Sequence, residues 1–169
     1  MNSETLARAV LEMAKAHNIC LVAAESCTAG AVASALATAP GAGEHLAGSF
    51  VVYTKEMKTA ALGVPQDLLL KKTAVCAEVA AAMAMGALER SPADVAVAIT
   101  GVAGPEPDED GNPVGLVFCS TAKRGGQPLT KRFFFEGRPR ESVIEAAACE
   151  ALRLLLEVCD FSQSGPGVS

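Results

Sequence analysis

The run Glu25-Ser26-Cys27-Thr28-Ala29-Gly30 sets a carboxylate, two hydroxyls and a thiol together where an apolar stretch, Ile19 to Ala24, gives way to a segment of small residues. Ser26, Cys27 and Thr28 fall at the start of an expected helix, where free backbone N–H groups and the helix dipole favour an anion or a developing oxyanion. Capping explains the hydroxyls equally simply, since Ser and Thr are preferred N-caps. Ala29 and Gly30 add room for a ligand to approach the backbone. A hydroxyl nucleophile also needs a base. The chain holds two histidines, His17 and His45, and neither is well placed by sequence. A lysine desolvated until its pKa nears neutrality can serve instead. The segment Tyr53-Thr54-Lys55-Glu56-Met57-Lys58 offers two, Lys55 and Lys58, which makes a Ser-Lys dyad the economical reading. Cys27 is the rival nucleophile, because a thiol at a helix N-terminus can have a lowered pKa.

A third segment, Thr100 to Gly104, ends a clear strand pattern and carries a hydroxyl and two glycines, Gly101 and Gly104. Its hydroxyl and N–H groups suit a substrate carbonyl or phosphate. Lys123, Arg124, Lys131, Arg132, Arg138 and Arg140 are concentrated in an otherwise acidic chain. Most are expected on the solvent face of a hairpin, with one or two near the site to meet a phosphate. None of these segments is the GxSxG elbow, the P-loop or the GxGxxG fingerprint.

The chain has 169 residues, half of them apolar and one fifth charged, which is enough for one core and one domain, expected over residues 1–161 with a flexible tail at 162–169. A net charge of -5 argues against a nucleic-acid partner, which would need a concentrated positive face. No apolar run is long enough for a membrane span, and no charged stub leads into a signal sequence, so a soluble cytoplasmic protein is expected. The six cysteines include no CxxC pair and read as buried free thiols; no metal is expected.

Periodicity supplies the elements that must position these groups. Helices are expected over 4–17 with Ser3 as N-cap, 28–38, 55–63, a short turn before Lys71, 76–91 and 141–159; strands are expected at 19–24, 48–54, 93–100 and in a hairpin, 115–123 with 127–137. Helices alternating with strands and a closing hairpin imply a three-layer α/β/α sandwich with a mixed, mostly parallel sheet. Ligands then gather where the loops leave the carboxyl ends of the strands. The alanine-rich helix at 77–90 carries more small apolar surface than one sheet face needs, which suggests a homo-oligomer.

Taken together, AESCTAG (24–30), VVYTKEMKTAALGVP (51–65), AVAITGVAGP (96–105) with PVG (113–115), and FEGRPRESV (135–143) resemble the C-terminal domain of the CinA competence- and damage-inducible family, also known as nicotinamide-nucleotide amidohydrolase. The resemblance spans most of the chain in the family's order. It implies a stand-alone amidase that deamidates nicotinamide mononucleotide, a small-molecule nucleotide, without a cofactor. It makes Ser26 the nucleophile and Lys58 its partner, with Thr100 and Arg140 holding or polarising the substrate. Glu25, Cys27, Thr28, Ala29, Gly30, Tyr53 and Gly101 complete the expected substrate-binding set. Glu25 is expected either to orient Lys58 or a substrate hydroxyl, or to pair with a cation.

The sequence departs from the family pattern at four places. Ala29 replaces a glycine, Lys55 stands where asparagine is common, Glu106 to Asp110 is unusually acidic, and GRPRESVI leaves Arg138 competing with Arg140. A catalytically silent nucleotide-binding or competence-related regulatory domain is the alternative function.

Overall fold

The computed structural model describes residues 1–160; the expected tail, 162–169, lies outside the described residues. In chain order the elements are α1 (Ser3–His17), β1 (Leu21–Glu25), α2 (Ala31–Thr38), α3 (Ala42–His45), β2 (Leu46–Val51), α4 (Lys55–Leu62), α5 (Gln66–Lys71), α6 (Ala77–Glu89), β3 (Val95–Gly101), β4 (Leu116–Lys123), β5 (Leu129–Phe134) and α7 (Arg140–Cys159). The five strands form one sheet in the order β2-β1-β3-β4-β5. β1 pairs in parallel with β2 and β3, while β4 runs antiparallel to both β3 and β5. β1, β2, β3 and β5 therefore share one direction, and the carboxyl ends of β1 and β3 open side by side.

Side-chain alternation divides the core. Leu21, Ala23, Val95, Val97 and Ile99 pack against α1, α2 and α7. Val22, Ala24, Ala96 and Ala98 face the other way, against α6 and the Leu62 end of α4. Alanines on that second face let α6 lie close. Gly86 of α6 completes the approach: a Cβ there would stand 2.0 Å from the Leu62 carbonyl oxygen, so α4 and α6 touch backbone to backbone. Val79, Ala80, Met83, Ala84, Ala87 and Leu88 of α6 are buried within the chain itself, while Ala81, Ala82 and Met85 are only partly buried.

Several expected boundaries move. Asn2, not Ser3, caps α1, its Oδ1 accepting from Thr5 N at 3.0 Å. Asn18 ends that helix in the left-handed region, as expected of a C-cap. α2 starts at Ala31 rather than residue 28, because Ala29 (φ 49°) and Gly30 (φ 102°) are both left-handed and cannot continue a helix backwards. α3, absent from the sequence pattern, is a single turn held from outside, with the buried His45 ring 2.9 Å from the Ile19 carbonyl. β2 stops at Val51, three residues early, and Thr54 caps α4 by accepting from Met57 N. Arg140 is already the first residue of α7.

Candidate active site

Alternation along β1 continues past the strand and decides which side chain goes where. Ser26 N–H still donates to Ile99 O at 3.0 Å, so the backbone stays extended beside β3 through that residue. Glu25 and Cys27 point to the α1/α2/α7 side. Ser26 points to the α4/α6 side, where Lys58 waits.

Lys58 is 1 % exposed, the largest of the fully buried side chains. Its Nζ lies 2.8 Å from Ser26 Oγ, 3.1 Å from Val52 O and 3.4 Å from Tyr53 O. Two of these neighbours are carbonyls, which only accept; the third is a hydroxyl, which can also donate. A neutral amine satisfies all three. Its two N–H groups go to the carbonyls and its lone pair takes the Ser26 proton. Burial, partly offset by Cys27 and aided by the positive charge of Lys55, lowers the Lys58 pKa to about 8. The backbone that supplies the carbonyls is the short link between β2 and α4, so helix start and base are fixed by the same turn.

Lys55, the competing base, is engaged elsewhere. Its Nζ lies 3.1 Å from Glu109 and 2.9 Å from Asp110, and those hydrogen bonds raise its pKa. Two departures noted in the sequence, the lysine and the acidic loop, thus meet as an ion-pair cluster. Cys27 is 5 % exposed and belongs to the apolar core, and burial pushes its pKa up to about 12, the reverse of an activated thiol.

Glu25 is fully buried, and its carboxylate answers five donors: Thr28 Oγ1 (2.7 Å), Gly30 N (3.0 Å), Val32 N (3.1 Å), Ala33 N (2.9 Å) and Ser49 Oγ (3.2 Å). The helix N-terminus expected to receive a ligand is filled by the chain's own carboxylate. Glu25 and Thr28 therefore build the loop rather than contact a ligand, and Ala29 and Gly30, whose φ values shape the turn, also lie off the cavity. Neither of the alternatives raised for Glu25, orienting Lys58 or pairing with a cation, matches its partners.

A cavity of about 410 Å³ opens over the dyad, lined by Ser26, Cys27, Lys58, Tyr53, the Thr100–Gly104 turn and Arg140, with the acidic loop beside them. Thr100 is 1 % exposed and its hydroxyl donates to Ala74 O at 2.7 Å. With its proton spent it is left as an acceptor, not the donor to a substrate carbonyl that the sequence suggested. Gly101 tolerates no side chain: a Cβ would stand 2.8 Å from Leu116 O and 3.1 Å from Cys27 Sγ. Gly104 (φ 95°) precedes a cis peptide bond to Pro105.

Arg140 donates through Nη1 to Gly104 O and through Nη2 to Tyr53 OH, the latter at 2.9 Å, which joins the start of α7 to the cavity's edge. Arg138 turns away and lies 5.3 Å over the Phe135 ring. The rest of the basic group is structural or solvent-facing. Arg124 binds the carbonyls of Leu88, Ser91 and Ala93, and Lys131 pairs with Glu157. Sequence reasoning missed Val52 O and Tyr53 O as partners of the base, and missed Ala74 and Val75 as parts of the wall. Only the fold brings the α5–α6 link here, and no local signal marked it. Among the described residues no cluster of His, Cys, Asp and Glu could hold a metal ion, and no helix is long and apolar enough to cross a membrane.

The fold and site define an α/β sandwich domain with a buried serine-lysine pair at the carboxyl edge of its sheet. Residues 3–159 match the model of the CinA C-terminal domain, and the chain belongs to that family. It is 41 % identical over 155 residues to Protein YdeJ of Escherichia coli, covering 92 % of this chain and 89 % of that protein. It is 41 % identical over 162 residues to a putative competence-damage inducible protein of Symbiobacterium thermophilum, covering 91 % of this chain. The chain spans only 38 % of the length of that relative, and 37 % of a CinA-like protein of Synechococcus. Among solved structures, the competence/damage inducible protein CihA of Agrobacterium tumefaciens superposes with a TM-score of 0.89 at 35 % identity, covering 94 % of this chain and 96 % of that one. A CinA superfamily protein of Escherichia coli gives 0.87 at 40 % identity, covering 92 % and 90 %.

Proposed function

We propose that the chain is an amidohydrolase that converts nicotinamide mononucleotide to nicotinic acid mononucleotide and ammonia, in pyridine-nucleotide salvage, through a Ser26–Lys58 dyad. The single observation carrying this reading is the buried Lys58 amine, 2.8 Å from Ser26 Oγ and satisfied on its other sides by two carbonyls. A neutral amine in that setting has one unmet need, a proton, and the hydroxyl beside it is the donor.

Ser26 Oγ attacks the carboxamide carbon as its proton passes to Lys58, and the carbonyl π pair moves onto oxygen. Cys27 lines the cavity and offers its N–H to that oxyanion, whereas Ala29 N–H is bound to Ser26 O and Gly30 N–H to Glu25. Lys58 then returns the proton to the departing nitrogen, the C–N bond breaks, and ammonia leaves an acyl-serine. Thr100, with lone pairs free, accepts from the amide NH₂ and so orients it. Water attacks the ester as Lys58 takes its proton, the C–Oγ bond breaks as Lys58 passes that proton to Ser26 Oγ, and the acid departs with Ser26 and the neutral amine restored.

The test is ammonia release from nicotinamide mononucleotide by the purified protein, with Ser26→Ala and Cys27→Ala alongside. Loss of at least a hundredfold in kcat for Ser26→Ala, with most activity kept in Cys27→Ala, is expected for removal of a nucleophile, on the order of the effects known for such groups. Tight binding of the nucleotide without turnover would instead establish the catalytically silent reading.

A further inference from the structure

Ser26 and Thr100 stand side by side. Glu25 pairs with Ile99 in the parallel register of β1 and β3, and Ser26 N–H goes on to Ile99 O, which sets Ser26 beside Thr100 on strands about 4.8 Å apart. Ile99 belongs to the core against α7 and Ala98 to the core against α6, so alternation turns Thr100 to the side of Ser26 and Lys58. A carboxamide carbon seated on Ser26 Oγ therefore presents one of its two heteroatoms to Thr100.

The polarity of that hydroxyl is fixed by its other neighbour. Thr100 Oγ1 lies 2.7 Å from Ala74 O, and a carbonyl only accepts, so the Thr100 proton is committed and lone pairs alone face the cavity. The residues on either side of Ala74 are held in turn. Thr73 Oγ1 donates to Asp110 at 2.9 Å and accepts from Asn112 Nδ2 at 2.7 Å, while Val75 packs with Val102 and Leu116. Turning the hydroxyl round would strip Ala74 O of its donor.

Resting on the amidase reading, we propose that Thr100 is the residue by which this site tells an amide from an acid, accepting from the NH₂ of the bound carboxamide and rejecting the carboxylate of the product. A carboxamide offers one acceptor and one donor group, which match Cys27 N–H and Thr100. A carboxylate offers two acceptors. With one oxygen at Cys27 N–H, the other meets the lone pairs of Thr100 with no proton between them. Lys58 acts the opposite way. Its pKa of about 8 leaves it mostly an ammonium at neutral pH, and that charge attracts the carboxylate. Ribose and phosphate are common to substrate and product, so the discrimination rests on this end of the cavity.

The experiment uses Ser26→Ala, which binds without turnover, alone and combined with Thr100→Val or Thr100→Ser. Calorimetry gives the dissociation constants of nicotinamide mononucleotide and nicotinic acid mononucleotide at pH 9, where Lys58 is mostly neutral. Ser26→Ala alone is expected to favour the amide on the order of tenfold, the equivalent of one mismatched hydrogen bond. Thr100→Val keeps the shape without the lone pairs and is expected to shift the ratio about tenfold toward the acid. Thr100→Ser keeps the hydroxyl and is expected to hold the ratio within about threefold. The added charge of the acid meets the same surroundings in every variant, so the change between variants reports on the hydroxyl. A ratio unmoved by Thr100→Val, or moved as far by Thr100→Ser, overturns the inference. So does an acid bound more tightly than the amide by Ser26→Ala at pH 9, without any change at Thr100. Each of these leaves the amidase reading to its own test, and no ammonia release from the wild-type protein overturns both.

Discussion

Replacing Lys58 by Met is expected to stabilise the protein at neutral pH while abolishing activity, and the size of the effect follows from the buried amine. In the unfolded chain a lysine titrates at its ordinary value of 10.5, whereas in the fold burial lowers this to about 8. Between those values the unfolded state binds more protons than the native state, so stability rises with pH across that window. Below pH 8 the full cost is present, roughly 3 kcal/mol at about 1.4 kcal/mol per unit. Met fills similar volume without the charge. It also strands Val52 O and Tyr53 O, at a cost of about 1 to 2 kcal/mol for lost partners. The net expectation at pH 7 is a gain of about 1 to 2 kcal/mol for Lys58→Met. Between pH 7 and 9.5 the native protein is expected to recover about 2 kcal/mol relative to the variant, because the lysine is then largely neutral in the fold and beginning to deprotonate in the unfolded chain. Urea denaturation of both proteins at several pH values measures the difference directly. A difference that does not change with pH would refute the reasoning, since it would mean the Lys58 pKa is not depressed by folding.

Two further outcomes follow from the same geometry. The kcat/KM for amide hydrolysis is expected to rise tenfold per pH unit below about 8 and to level off above it, as Lys58 loses its proton and becomes the base; a profile flat from pH 6 to 9 would exclude Lys58 from that role. Glu25→Gln leaves an amide NH₂ facing the N–H groups of α2 in place of one carboxylate oxygen, and is expected to cost about 3 kcal/mol in urea denaturation; a loss below about 1 kcal/mol would show that the α2 N-terminus does not depend on that charge.

How much of this was legible in the chain varies with the range of the interaction involved. Helix and strand identities followed from local periodicity, and the sheet's character from the alternation of elements. The start of α2 did not, because Ala29 gives no local sign of a left-handed conformation; the five hydrogen bonds to Glu25 hold the loop in which it lies. α3 was invisible for a similar reason, being one turn tied to Ile19 O through His45. The sequence named the cavity's residues around Ser26, Lys58 and Thr100, yet could not show that Glu25 and Thr28 are turned inward to serve the loop.

The sequence alone determined which chemical groups exist and their parity along β1, which is a property of an extended chain: if Ser26 faces one side of the sheet, Glu25 and Cys27 must face the other. The choice between Lys55 and Lys58 was different in kind. Both sit on the first turns of α4, and what separates them is where that helix lies over the sheet. One amine is buried against Ser26 and two carbonyls, and the other is left at the rim to be neutralised by an acidic loop some fifty residues away along the chain. Desolvation is a property of the packed interior, so only the tertiary structure could decide which lysine loses its charge.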